Sequence, residues 1–272
     1  MTSIQGLTNI EMQQVLISHG LLDPPADGAW GAQSRAALED FQFSHQLPVT
    51  GQLDDATRKL LRTAPVSKIN LGTDLASKII SFMLKHNYFI SRGPCRYNII
   101  YLEGTDADGT PNSDTFNEWN DRRIVIEIPE DTPKIVGNWL ATTEPGATYT
   151  FTPMNPDGAF RIAFGQYCAW TFGLHGRTQY PALVQCAEIS GYRDKNMDGN
   201  RTGDPFVTGN GFGVNQHHGW DMPHIDSASA GCLVGQSIEG HQDFMELLKG
   251  DRRYQVNSNH VFYTTIIPGD QL

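Results

Sequence analysis

The residues best suited to chemistry stand late in the chain. His217 and His218 lie in Gly213-Val214-Asn215-Gln216-His217-His218-Gly219, and Cys232 follows in Ser229-Ala230-Gly231-Cys232. A thiolate rather than a thiol is the nucleophile, and a nearby imidazole can make and hold it near neutral pH. An extended strand over residues 212–216 would deliver a histidine to one end of a sheet. Neighbouring residues on a strand point to opposite faces, so at most one of His217 and His218 is expected to face Cys232. Gly219 then frees the chain to turn. Gly231 permits close backbone approach, so that amide N–H groups near Cys232 could form an oxyanion hole, and the Ser229 hydroxyl can brace that loop. The pattern predicts Cys232 as the nucleophile toward an amide carbonyl, with His217 as general base and His218 in reserve. A thioester acyl-enzyme would form, and water or an amine would resolve it. His175, in Gly173-Leu174-His175-Gly176, reads as a loop histidine; it and Trp220 are candidates to line a substrate pocket.

Metal chemistry is the sharpest competitor. His217, His218, His224, His241 and Cys232 offer enough ligands for zinc. Yet the chain has neither a His-Glu-x-x-His helix nor a Cys-x-x-Cys pair, and the spacing of these residues matches no zinc site. Asp194, Asn196 and Asp198 have the spacing of the first half of a calcium loop. The second half fails, because the twelfth position is Pro205 rather than Glu. A solvated Asp/Asn/Gly turn is the preferred reading there, with structural calcium as the alternative. The thiol chemistry itself calls for no cofactor.

The elements that must position these residues form two blocks. Near the N-terminus, helices are expected over residues 9–19, 32–45 and from Asp54 onward. Thr8 or Asn9 caps the first, Gly20 ends it, and Asp54 caps the third. Met12, Val15, Leu16, Ala37, Leu38, Phe41, Leu60 and Leu61 supply their apolar faces. Two turns echo each other: Gly28, Trp30 and Ser34 in one, Gly51, Leu53 and Thr57 in the other, a weak repeat of about 23 residues. After a linker at residues 63–67 comes a helix over 74–85. Residues 90–272 then read as β-rich, with strands over 97–102, 123–128, 149–152, 160–164, 182–186 and 261–266, a polar loop over 105–120, and one late helix over 238–249. The fold class is α+β: a small three-helix bundle over residues 1–64 and a larger β-rich domain over 73–272.

Two resemblances follow from these residues. Gln14, Leu16, Gly20, Asp27-Gly28, Gly31, Ala36, Leu38, Phe41-Gln42, Gly51 and Thr57 make residues 5–62 resemble the type 1 peptidoglycan-binding domain family; Gln46-Leu47 departs from its usual Gly-Leu. The resemblance implies a wall-anchoring module without catalysis of its own. Ser229, Gly231 and Cys232, with His217 upstream, make residues 95–272 similar to the YkuD-type L,D-transpeptidase family. Here Ala230 replaces the second signature histidine and Val234 the usual polar residue after the cysteine, as in a divergent, phage-like branch. That resemblance implies a mixed β-sandwich and metal-free acyl transfer on stem peptides containing meso-diaminopimelate. The outcome would be cross-linking, carboxypeptidase or endopeptidase cleavage, or amino-acid exchange. The expected partner is peptidoglycan, through its glycan strands and stem peptides.

Composition sets the remaining bounds. A net charge of −10 argues against nucleic acid. No apolar run approaches the roughly 20 residues of a membrane span. Residues 1–6 lack the basic region and apolar core of a secretory signal. Action on the wall, in a periplasmic or extracellular setting, would then need a holin, as for an endolysin, or a dedicated secretion system. Cys95, Cys168, Cys186 and Cys232 are expected to be reduced thiols, with a Cys168–Cys186 bridge as the alternative. Three other functions fit the same features: a non-catalytic wall-binding or virion protein, a zinc-dependent wall peptidase, and an effector that damages a competitor's wall.

Overall fold

The computed structural model describes residues 7–272, so the expectation about residues 1–6 lies outside the described residues. The helices are α1 (Asn9–Ser18), α2 (Ala32–Ser44), α3 (Asp55–Thr63), α4 (Leu75–Lys85), α5 (Ala147–Phe151), α6 (Ile238–Lys249) and α7 (Arg252–Val256). The strands are β1 (Gly93–Glu103), β2 (Asp121–Ile128), β3 (Lys134–Thr142), β4 (Ala159–Ile162), β5 (Gly165–His175), β6 (Tyr180–Gln185), β7 (Ile189–Asp194), β8 (Phe206–Gly209), β9 (Gln216–His218), β10 (Leu233–Gly235) and β11 (Phe262–Pro268). The architecture is mixed α and β, helical at the N-terminus and β-rich after it. The described residues divide into two compact units: those up to residue 97 with 127–134 and 250–258, and residues 98–126 with 135–249 and 259–272.

In the first unit, α1 opens on a capping box in which Thr8 and Glu11 each accept from the other's backbone N–H. Asp54 caps α3 and Asp74 caps α4, each accepting from a backbone N–H three residues on. Met12, Leu16, Leu38, Phe41 and Leu61 share one buried cluster. The echo between the two turns has a physical basis in a pair of buried glutamines. Gln13 Oε1 accepts from the Gly28 N–H, and its Nε2 donates to the Ala29 carbonyl and Ser34 Oγ. Gln42 repeats the arrangement with the Gly51 N–H, the Gln52 carbonyl and Thr57 Oγ1. A carboxamide suits this role because it is donor and acceptor at once.

The second unit holds the barrel. Eight strands close in the order β1-β11-β5-β6-β9-β10-β3-β2, and a separate three-stranded sheet runs β4-β7-β8. This corrects the sandwich expectation. β1 and β11 pair in parallel, as do β9 and β10, and closure leaves no open edge. Apolar side chains of β1, β2, β6 and β11 are buried, among them Ile99, Ile126, Leu183, Phe262 and Ile266. Residues 149–152 are a second correction. Their β-branched and aromatic run lies mostly in the short helix α5, because Gly146 caps a turn whose carbonyl accepts from Tyr149 and Thr150. Helix α6 spans the residues expected of it. Among the described residues no helix is long and apolar enough to cross a membrane.

Candidate active site

Two short parallel strands position the candidate residues. β9 carries His217 and His218, and β10 begins immediately after Cys232. The register pairs His217 with Val234 and His218 with Gly235. Cys232 lies two residues before Val234, so alternation places it on the His217 side of the ladder. The extended segment expected over residues 212–216 is reduced to its last residue, since Gly213 turns the chain in the left-handed region. Cys232, His217, His175 and Trp220 all line one cavity of about 750 Å³. His218 does not; it lines a smaller cavity of about 160 Å³ with Tyr180 and His241.

The loop before Cys232 is held from three sides. The Ser229 hydroxyl donates to the Cys232 carbonyl (2.9 Å) and accepts from the Gly231 N–H (3.1 Å). The Ser229 carbonyl accepts from the Gly146 N–H (2.9 Å). Gly231 has φ +114°, and a Cβ there would sit 2.3 Å from the Phe160 carbonyl oxygen. The position therefore demands glycine. The Cys232 sulfur accepts from the Asn215 N–H (3.4 Å) and lies 3.6 Å from the Gly213 carbonyl. It packs beside the apolar cluster of Trp119, Ile225, Ala228 and Val234. That burial pushes the thiol up to about 11, against a smaller opposing pull from the Asn215 hydrogen bond.

His217 is buried, at 2 % exposure. Its Nδ1 lies 2.8 Å from the His218 carbonyl oxygen, which can only accept, so Nδ1 carries the proton and Nε2 is the free base. The Arg123 guanidinium donates to the His217 carbonyl (2.9 Å) and to Tyr101 Oη (2.7 Å), fixing this stretch of β9 from behind. Burial, reinforced by His175, lowers the His217 pKa well below the usual imidazole range. Thiol and imidazole are thus both neutral at pH 7.

His175 ends β5, a strand where the sequence suggested a loop. Its ring stacks on His217 with centroids 4.2 Å apart and planes 12° from parallel. Asn215 Oδ1 accepts from the Gln185 N–H, which fixes its amide so that Nδ2 donates to His175 Nδ1 (2.8 Å). His175 Nε2 therefore carries its proton. Asn215 touches both Cys232 and His175 and was not singled out from the sequence. Its two-residue offset from His217, read on the extended segment expected over residues 212–216, was the available signal, although β9 itself begins one residue later. Trp220, with φ +54°, places its ring 5.7 Å from that of His217 and 4.9 Å from that of His218. Arg177, Arg193, Phe160 and Phe212 also line the cavity. They come from separate segments, and no local pattern marks them.

The candidate calcium residues sit elsewhere. Asp194 is buried, and its carboxylate accepts from the Asp198 and Gly199 N–H groups (both 3.1 Å) and faces Arg161 Nε at 3.5 Å. Asn196 donates to Asp198. Among the described residues no group of three or more His, Cys, Asp or Glu is arranged to hold a metal ion. All four cysteines are free thiols.

Comparison with known proteins gives a family match at the N-terminus. Residues 9–61 match the family model described as a putative peptidoglycan binding domain. Over 86 residues, 32 % of this chain, the sequence is 34 % identical to the putative OxPP cycle protein OpcA of Synechococcus elongatus; the match spans 19 % of that protein. Two solved structures overlay loosely. A fused Zn-dependent amidase/peptidase/peptidoglycan-binding domain protein from Clostridium acetobutylicum aligns with TM-score 0.26 and 14 % identity, covering 96 % of each chain. An L,D-transpeptidase from Xylanimonas cellulosilytica aligns with TM-score 0.23 and 14 % identity, covering 96 % of this chain and 93 % of that one.

Proposed function

We propose that this protein is a peptidoglycan-processing cysteine enzyme that acts on stem peptides through a thioester acyl-enzyme. The observation that carries the reading is the shared cavity: Cys232 and a buried His217 whose Nδ1 is tied down line one open space. The match of residues 9–61 to a wall-binding family supplies the substrate context. In the proposed first step the Cys232 sulfur attacks the amide carbonyl carbon as its proton passes to His217 Nε2. Thiol and base start neutral, so proton transfer accompanies attack. The Gly231 N–H is engaged by Ser229 Oγ, so stabilising the oxyanion would fall to the Cys232 N–H or to donors brought by the substrate complex. Collapse breaks the C–N bond, and the imidazolium returns its proton to the leaving amine. Water or a second amine then attacks the thioester, giving cleavage or a cross-link. None of these steps needs a metal. The site of action would be the wall, periplasmic or extracellular.

A second reading, a wall-binding protein without catalysis, is favoured by one observation: the thiol is pushed up to about 11 by apolar neighbours. Mass spectrometry of purified sacculi incubated with wild type and with Cys232→Ala separates the two. Stem-peptide masses that change with wild type only support the enzyme, and the masses identify the acceptor. Binding to sacculi with no mass change supports the second reading.

A further inference from the structure

The cavity beside Cys232 is charged against the trend of the chain. The whole sequence carries a net charge of −10, yet the cavity lining includes Arg177 and Arg193 and no carboxylate. Arg193 stands on β7 opposite Phe160 of β4. Its guanidinium carbon lies 5.4 Å from the Phe160 ring centre and 5.2 Å from that of Phe212, and the two rings stack at 4.5 Å. One Nη donates to the Gly158 carbonyl (3.2 Å). Asp157 acts on Arg193 through its field rather than as a contact ion pair. Two other arginines of the same unit are neutralised by contact with acids, while Arg122 and Arg123 are spent on Asn138 and on the His217 carbonyl and Tyr101 hydroxyl. Arg161 is ion-paired with Glu144 and Asp194, and Arg201 with Glu103. A planar guanidinium fixed on aromatic faces, with donors to spare and no contact ion pair among the described residues, is preorganised for a carboxylate. Gly211 and Gly213 line the same cavity, and a Cβ at either would meet nothing within 4 Å.

We propose that Arg193, assisted by Arg177 from the β5–β6 turn, forms a subsite for a free carboxylate of the substrate at Cys232. The cavity would thereby select peptides carrying a free carboxylate next to the scissile amide. This deepens the reading of the cavity as a peptide site and rests on it. The test is binding by Cys232→Ala protein, which can hold peptide without turning it over. The probes are a meso-diaminopimelate tetrapeptide with a free terminal D-alanine, the same peptide amidated at its terminal carboxylate, and the same peptide amidated at the diaminopimelate side-chain carboxylate. One amidation should weaken binding about 10- to 100-fold, the range of a charge-assisted hydrogen-bond pair. Adding Arg193→Gln should bring that ratio close to one, and Arg193→Lys should restore part of it, with thermal melting confirming the fold of each. Equal binding of all three peptides, no binding of any, or a ratio unmoved by Arg193→Gln would overturn the subsite. Turnover by the cysteine-intact protein is scored separately. A carboxylate preference without turnover would remove the enzyme reading and leave the subsite standing.

Discussion

Substituting Gly231 by alanine tests the cysteine loop most directly. At φ +114° an L-residue is strained by roughly 1–3 kcal/mol. The new Cβ would also lie 2.3 Å from the Phe160 carbonyl oxygen and 3.1 Å from its carbon. Phe160 cannot withdraw freely, because it is paired with Arg193 in the β4–β7 ladder. Forcing a methyl into such a contact costs roughly another 1–3 kcal/mol. The sum, about 4 kcal/mol, corresponds to a fall in melting temperature of about 8–16 °C for a unit of this size. Scanning calorimetry reads the stability, and alkylation of Cys232 reads displacement of the loop. Gly211→Ala is the control, since a Cβ there meets nothing within 4 Å. A Gly231→Ala protein that melts within about 2 °C of wild type, with Cys232 alkylated at the wild-type rate, would refute the geometry.

Other expectations follow from the same site and from the helical unit. Cys232, with its pKa near 11, should be alkylated slowly at pH 7, its rate rising about tenfold per pH unit toward pH 10; a plateau below pH 9 would mean that a neighbour already holds the thiolate. His217→Ala should lower turnover of muropeptides by about 10²- to 10⁴-fold, the usual range for a general base. His218→Ala should lower it less than tenfold, since His218 faces the other cavity; equal losses would contradict the assignment. Gln42→Leu strands the buried Gly51 N–H and should destabilise the helical unit by about 2–3 kcal/mol in chemical denaturation. An unchanged midpoint would show that the carboxamide is dispensable.

The sequence was most readable where structure is local. Capping residues Thr8 and Asp54 and the apolar patterning of α4 and α6 mark helices without reference to the rest of the chain. The echo of Gly28 and Gly51 was visible as spacing. Its cause, two glutamines reaching back from α1 and α2, was not, because they sit 15 and 9 residues from those glycines. Barrel closure was hidden for a similar reason. It depends on β1 pairing with β11, whose partners Ile99 and Thr264 lie far apart in sequence. Residues 149–152 misled because β-branched composition outweighed the helix start at Gly146. At the candidate site, strand alternation anticipated that His217 and His218 would part. It could not bring in His175, which reaches His217 only through the β5–β6–β9 pairing.

The parting of those two histidines has an evolutionary consequence. The strand that sends one histidine to each cavity has three residues, Gln216–His218, and is flanked by Gly213 and Gly219. A one-residue slip exchanges the faces of every side chain on a strand. Deletion of one residue before β9, compensated by an insertion after it, would therefore put His218 in the place of His217, facing the cysteine cavity, and His217 in the place of Gln216, whose amide donates to Thr264 Oγ1. The cysteine cavity would keep an imidazole. A chain with adjacent histidines here can absorb a register error that would disarm a chain with one, so insertions and deletions in the flanking glycine turns become a route by which this site can drift without losing its base.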